Sequence, residues 1–304
     1  FYFGGGTPTI MMDELLSFID YLKKNFPVRA ISLETTPHEL TEKTITDLKT
    51  TGVNRLSLGV QSFDDDMLRS MGRTISPGKE AQEKIEMAQG HFNTVNIDLI
   101  FNFPFQTLEK FKTDVLIFKK LGADQVTFYP LMPSPHKKNA LERKFARVDN
   151  RREKEYYNVI LREIYEQEYQ ASTVWCFSKG KRLIDEYIVD YADYIGIGSG
   201  SVSLVNGLFY VNSFSLDKYS SLTDNGRLPI VLWRELSERE YLRYYFLTKL
   251  FGTRINKDEF QKQFGSEIHH KLGLEINLLK LAGAVTEKGS RIEVTPGGMF
   301  TISV

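Results

Sequence analysis

At 304 residues, 41% hydrophobic and 26% charged, the chain has the composition of an ordinary globular protein, with apolar material enough for one large domain and a smaller one. Its 39 lysines and arginines match its 39 aspartates and glutamates, which excludes a global field pulling it toward nucleic acid or an anionic membrane. The single cysteine, Cys176, excludes a disulfide framework, and no apolar run approaches the ~18 residues of a membrane span, so a cytoplasmic protein is expected.

In chain order, Phe1-Tyr2-Phe3 reads as a buried strand entering Gly4-Gly5-Gly6-Thr7-Pro8-Thr9. Three glycines permit positive φ and a close backbone approach to a ligand, at an entropic cost that a plain turn does not require. No Gly-Lys-Ser/Thr follows, so this is not a nucleotide P-loop. The apolar run from Ile10 to Leu22 predicts a helix, with Asp13 and Glu14 placed for the macrodipole. Val28 to Leu33 predicts a second strand with Glu34 at its carboxyl end, and Thr41 caps the following helix. Asn54 to Val60 is a third strand ending at Gln61, and Asp64 heads a short helix through Met71. Pro77 to Gln89 is helical, Thr94 to Phe101 is a strand carrying Asp98 in an apolar run, Leu108 to Leu121 is helical, and Gln125 to Tyr129 is a fifth strand. This alternation is the signature of βα units on a parallel sheet.

Pro130, Pro133 and Pro135 mark a loop past the fifth strand, a helix follows over 151–170, and Ser172 to Phe177 is read as a sixth strand. Asp193 to Ile197 runs into Gly198-Ser199-Gly200-Ser201, but the residues that follow are β-prone, which rejects a dinucleotide loop. The texture changes at Asn225-Gly226, so the domains are expected at 1–223 and 224–304. The second reads as three helices (Ser237 to Leu250, Ile255 to Phe264, Leu272 to Ala282) and a hairpin of Ile292 to Val294 with Phe300 to Ile302. That set resembles a winged helix, yet its third helix has no basic stripe, which argues against nucleic acid.

Ligands of parallel α/β sheets bind at the carboxyl ends of strands, where Gly5, Gly6, Thr7, Glu34 and Gln61 all fall. Asp98 lies within a strand and needs a partner. Two carboxylates, an amide, Arg73 and a glycine-lined edge suit a zwitterionic, hydroxylated small molecule such as S-adenosylmethionine (SAM); phosphate would meet repulsion from Glu34 and Asp98. Of the five histidines only His136 lies on this edge, and none is expected to be a ligand.

Gly4-Gly5-Gly6-Thr7-Pro8-Thr9, Glu34 with Pro37, Asn54 to Phe63, Gly72-Arg73, Asp98-Leu99-Ile100, Pro104 with Gln106-Thr107, Tyr194-Ile195-Gly196-Ile197-Gly198 and the Asn212 to Tyr219 stretch together resemble the radical SAM superfamily, in the group of oxygen-independent coproporphyrinogen III oxidase. The resemblance implies a partial (β/α)6-type barrel missing its first strand, plus a small, mainly helical, winged-helix-like C-terminal domain. It implies that Gly5, Gly6 and Thr7 hold the methionyl end of SAM, that Glu34, Gln61, Arg73 and Asp98 bind its polar groups, and that Met132 and Val202 contact a second SAM. The three cluster cysteines of the family are expected upstream of Phe1, where they would ligate a [4Fe-4S] cluster whose fourth iron chelates SAM; reduction then yields a 5′-deoxyadenosyl radical. The implied partners are a tetrapyrrole and an electron donor such as flavodoxin or ferredoxin. Oxidative decarboxylation of propionates is the leading expectation, radical methylation or haem opening with a second SAM the first alternative, and a non-catalytic haem-handling protein the next. Where relatives read Gly-Leu-Pro-Gly-Gln the chain has Asn102-Phe103-Pro104-Phe105-Gln106, so a different loop shape is expected. Where haem chaperones carry His-Asn-x-x-Tyr-Trp it has Ile184 to Val189, with no histidine.

Overall fold

A computed structural model describes residues 1–132, 143, 150–165, 168–184 and 187–303; Pro133, Pro135 and His136 lie outside them. The chain divides into two compact units, Phe1–Asp185 and Glu186–Val304.

The first unit alternates strand and helix: β1 (Tyr2–Phe3), α1 (Met12–Asn25), β2 (Ser32–Thr35), α2 (Glu42–Thr51), β3 (Arg55–Gln61), α3 (Asp65–Ser70), α4 (Gly78–Ala88), β4 (Thr94–Phe101), α5 (Leu108–Leu121) and β5 (Gln125–Pro130). The helix after β5, α6 (Glu153–Glu163), is shorter than the expected 151–170, and β6 (Gln170–Ala171) and β7 (Cys176–Ser178) follow. The sheet order is β1-β2-β3-β4-β5-β7-β6, parallel through β5. The expected sixth strand is instead a short hairpin, antiparallel to β5. Its turn is set by Thr173, whose hydroxyl accepts the N–H groups of Trp175 (3.1 Å) and Cys176 (2.9 Å). β1 is an edge strand rather than a buried one, with Phe1 47% exposed.

The central strands alternate, and the two faces of the sheet differ in kind. Leu56, Leu58 and Val60 of β3, Val95, Ile97, Leu99 and Phe101 of β4, and Val126 and Phe128 of β5 are buried on one face. There Phe111 of α5 meets Phe101 and Phe128 at ring distances of 5.9 and 5.8 Å. The apolar stripe of α5 needs such a face, and Thr107, whose hydroxyl accepts the Lys110 N–H at 3.2 Å, starts the helix in place over it.

The second unit comprises α7 (Tyr187–Asp190), β8 (Val202–Val205), β9 (Leu208–Asn212), α8 (Leu216–Asp224), β10 (Ile230–Glu235), α9 (Glu238–Phe251), β11 (Arg254–Asn256), α10 (Lys257–Phe264), α11 (Ile268–Leu281), β12 (Val285–Lys288), β13 (Arg291–Val294) and α12 (Pro296–Ser303). A boundary at 223/224 would cut the β10-β9-β8 sheet, in which Trp233 pairs with Tyr210 and Ser203 with Tyr210, so the division falls earlier than expected. From α9 onward the order helix, strand, helix, helix, strand, strand, with sheet order β11-β13-β12, is that of a winged helix. The hairpin differs from the expected one. β13 pairs with β12, and Pro296 opens a helix instead of a turn, as proline at a first helical position readily does. Ser237 and Glu240 form a complete capping box on α9.

Candidate functional site

The face of the first sheet opposite its helices is polar. Arg55, Ser57 and Gly59 alternate along β3, Asn96 and Asp98 along β4, and Gln125 and Thr127 along β5. Parallel register aligns them in rows, Glu34 with Ser57, Ser57 with Asn96, Asn96 with Gln125, and Gly59 with Asp98 and Thr127. Burying polar groups is costly unless they are hydrogen-bonded, and these are. Asn96 Nδ2 donates to Ser57 Oγ and to Asp98 Oδ1, both at 2.8 Å, and Ser57 Oγ donates to Asp98 Oδ2 at 3.0 Å. Deeper in the sheet, fully buried Arg55 donates to Gln125 Oε1 at 2.8 Å and to Ser32 Oγ at 3.2 Å. Asp98 thus has the partners its position demands.

Glu34 joins the glycine edge to this face. The Tyr2 hydroxyl donates to its Oε1, and the Gly5 N–H donates to Oε2 at 3.3 Å. Gly5 and Gly6 hold φ of +85° and +154°, with open space where a β-carbon would stand. Gly4 is tight instead: a β-carbon there would lie 2.9 Å from the Glu34 carboxyl. So the three glycines serve two needs, close approach and left-handed backbone.

Gln61 and Arg73 gather at the next strand. A bulge interrupts β3 between Gly59 and Gln61, and Gln61 adopts φ +72°, a conformation costly for a residue with a β-carbon. Arg73 Nη1 donates to the Gly59 carbonyl at 3.0 Å, and a β-carbon on Gly59 would stand 3.1 Å from Gln61 Nε2. Burial pushes the Arg73 guanidinium down from its ordinary value, and the nearby Asp98 charge pushes it back up.

The structure therefore links Gly5, Glu34, Gln61, Arg73 and Asp98 on the polar face of the sheet, Gly5 and Glu34 by a hydrogen bond, Glu34 and Asp98 through Ser57, and Arg73 and Gln61 at Gly59, the register partner of Asp98. Thr7 follows the glycines and accepts the Ile10 N–H at 3.1 Å, and Met132 lies just past β5, 63% exposed. Val202 opens β8 in the second unit. The polar rows of Arg55, Ser57, Asn96 and Gln125 do not follow from reading 54–60 only as a strand and 94–101 as an apolar run; the strict alternation in Arg55-Leu56-Ser57-Leu58-Gly59 carries the signal. In the loop after β4, Asn102 and Phe105 hold φ +60° and +67°, the region glycine favours.

The radical SAM superfamily model matches residues 1–116. A haem chaperone, HemW of Lactococcus lactis subsp. lactis, is 27% identical over 88% of this chain and 75% of its own length. The oxygen-independent coproporphyrinogen III oxidase of Helicobacter pylori is 26% identical over 99% of this chain and 71% of its own. The solved coproporphyrinogen III oxidase (HemN) of Escherichia coli superposes with a TM-score of 0.81 at 22% identity, covering 99% of this chain and 75% of that one, a likeness of fold. With its α/β sheet and glycine edge, the stretch 1–116 matches the radical SAM superfamily, the class to which the whole chain is similar. Within that class the chain is similar to HemN-like proteins, which are named both as coproporphyrinogen oxidases and as haem chaperones.

The family uses SAM and a [4Fe-4S] cluster. The residues present suit SAM: two carboxylates accept from hydroxyls or an ammonium group, a guanidinium grips a carboxylate, and the open backbone at Gly5 and Gly6 admits close approach. They do not supply the cluster's three thiolates, because Cys176 is the one cysteine in the sequence and is buried in β7.

Proposed function

We propose that this chain binds SAM along the carboxyl ends of β1 to β4 and acts, as a radical SAM enzyme, on a tetrapyrrole such as coproporphyrinogen III by oxidative decarboxylation of its propionates, drawing electrons from a donor of the flavodoxin or ferredoxin kind. The observation that carries this reading is the placement of the Gly5 N–H, Glu34, Arg73 and Asp98 on one polar face of the sheet. Bound SAM with a reduced cluster supplies a hydrogen-abstracting radical. The chain's own residues bind and orient. In this reading Gly5, Gly6 and Thr7 receive the methionyl end, and Glu34 and Asp98 accept hydrogen bonds from hydroxyls or the ammonium group. Arg73, desolvated and held by the Gly59 carbonyl, pairs with the carboxylate. Ser57 and Asn96 hold the Asp98 carboxylate in the position its role requires.

A second reading, haem handling without catalysis, is favoured by the haem chaperone relatives and opposed by the lack of histidine in Ile184 to Val189. Product analysis on the cluster-loaded protein separates the readings. Carbon dioxide release from coproporphyrinogen III supports decarboxylation, S-adenosylhomocysteine formation supports methyl transfer with a second SAM, and stoichiometric haem uptake without deoxyadenosine supports the chaperone. Glu34→Ala and Asp98→Ala should each weaken SAM binding in calorimetry by about 1–3 kcal/mol, the range for losing a charged hydrogen-bond partner; unaltered affinity would remove both residues from the site.

A further inference from the structure

We propose that Asp114 of α5 is a positioning residue for SAM: by holding Ser62 and Phe63 it sets where the Gln61 amide stands, and it acts through that amide rather than on the ligand. This rests on the SAM reading, in which Gln61 binds one of the polar groups. Gln61 leaves β3 at the bulge with φ +72°, a conformation that disfavours any side chain with a β-carbon. Its side chain nevertheless stays over the polar face. The point that a β-carbon on Gly59 would occupy lies 3.1 Å from Gln61 Nε2 and 4.0 Å from Arg73 Nη2, so amide and guanidinium both stand over the bare backbone of Gly59, the register partner of Asp98.

Strained residues persist where their surroundings over-determine them, and what fixes Gln61 lies on its carboxyl side. Ser62, Phe63 and Asp114 are all buried. The Ser62 hydroxyl donates to Asp114 Oδ2 and the Phe63 N–H to Oδ1, both at 2.7 Å, so the two oxygens of one carboxylate hold two consecutive residues. Ser62 Oγ in turn accepts the Asp64 N–H at 3.1 Å. One turn earlier on α5, Lys110 Nζ donates to Asp64 Oδ1 at 2.9 Å, the oxygen that also accepts the Met67 N–H at the start of α3. From the other side α4 closes on the Phe63 carbonyl, which a β-carbon on Gly78 would meet at 1.9 Å. Residues 62–64 are thus held from two helices, and Gln61 is the joint between them and the sheet. The apolar stripe of α5, with Phe111, Val115 and Phe118 buried, seats the helix that carries the clamp. Burying a carboxylate is costly, and Phe63 and Met67 already supply apolar packing to this segment. What the carboxylate adds is direction, through two charge-assisted hydrogen bonds.

The test is a double-mutant cycle of SAM affinity, measured by calorimetry on the cluster-loaded protein at about pH 8, where the Asp114 carboxyl, pushed up to about 6 by burial, is ionised. Asp114→Asn, which offers one acceptor where two donors converge, should weaken SAM binding about tenfold, and Gln61→Ala should do about the same. Added to Gln61→Ala, Asp114→Asn should cost less than about twofold, because the amide it positions is gone; a residue that only holds the fold together would cost the same in both backgrounds. Should Asp114→Asn fail to fold, Ser62→Ala, which removes one of the two bonds and leaves the carboxylate with the Phe63 N–H, should show the same non-additivity with a smaller loss. Equal losses with and without Gln61 would overturn the proposal, as would unchanged affinity in Asp114→Asn or in Gln61→Ala; in each case weakened binding in Glu34→Ala and Asp98→Ala would leave the SAM reading in place. Failure of the unaltered protein to bind SAM at all would end both.

Discussion

A methyl group added at Gly4 would stand 2.8 Å from the Tyr2 ring and 2.9 Å from the Glu34 carboxyl, so one of these side chains must move. Both are ends of side chains that can turn, so the fold should tolerate Gly4→Ala while the Glu34 carboxylate leaves its hydrogen bonds to Tyr2 and Gly5. The expected outcome is a several-fold weaker SAM affinity by calorimetry with little change in melting temperature; a stability loss of several kcal/mol with intact binding would contradict it. Glycine at position 78 is different in kind. Its β-carbon would meet the Phe63 carbonyl oxygen at 1.9 Å, and backbone cannot turn aside. Gly78→Ala should therefore destabilise by about 2–3 kcal/mol, read from denaturant unfolding, by forcing α4 off the loop that follows β3. The triple glycine announced itself in sequence, because a run of three has no cheap structural excuse. Gly78 did not, because a lone glycine at a helix start looks like any other until its neighbour is known.

Elements were legible where one side chain rule decided them. The span 94–101 was read correctly as β4 and 108–121 as α5, since period and caps agree there. The hairpin of β6 and β7 and the pairing of β12 with β13 were not, because strand direction and partner are set by contacts distant in sequence. The site followed the same division: carboxyl-end residues Glu34 and Gln61 could be placed from strand order, whereas the polar rows behind Asp98 require register. One buried carboxyl ties an element to the site. Asp114 of α5 accepts the Ser62 hydroxyl and the Phe63 N–H, both at 2.7 Å, just beyond Gln61. Burial pushes its pKa up from 3.8 to about 6, against the pull of those two donors, with Asp64 raising it and Lys110 lowering it. A folded value above the unfolded one means that the folded state binds more protons between the two. The resulting stability is full below pH 3.8 and is lost as the pH rises through about 6. Asp114→Asn, which keeps an acceptor for the Phe63 N–H and turns an amide N–H toward the Ser62 hydroxyl oxygen, should flatten the fall in stability between pH 4 and 6 relative to the unaltered protein, on the order of 3 kcal/mol in the difference. Parallel pH profiles for the two proteins would show that Asp114 is ionised in the fold like any surface carboxylate.

At the scale of the whole molecule, the balanced charge leaves association to local surfaces, and each unit builds its own core. In the second unit that core is Leu242, Phe246, Ile255, Phe260, Ile276 and Ile292 with their neighbours, under a winged-helix topology. The exposed positions of α11 include Leu274, Leu278 and Leu281, and its two lysines are paired, Lys271 with Glu238 and Lys280 with Glu287, so the helix presents no basic stripe of the kind that phosphate recognition demands. What locks the unit is a carboxylate on β12. Glu287 Oε1 accepts from Lys257 at 2.8 Å and pairs with His269 at 3.0 Å, while Oε2 accepts from Lys280. These groups come from α10 and from both ends of α11, so one charge ties two helices to the sheet. Hydrogen bonds from Lys257, Lys280 and His269 hold the Glu287 carboxyl well below the ordinary carboxylate range, against a small desolvation in the other direction. With the folded value depressed, the contribution to stability is full above the unfolded value of 4.5 and is lost as the pH falls through the folded one. Glu287→Gln should cost about 1–3 kcal/mol at pH 7, because Lys257 and Lys280 then share a neutral amide, and the cost should shrink as the pH drops below that of the free carboxyl. Hydrogen exchange of the β12 and β13 amides checks it: protection should fall in Glu287→Gln at pH 7 and converge with the unaltered protein in acid, and equal protection at pH 7 would show that packing alone holds the unit.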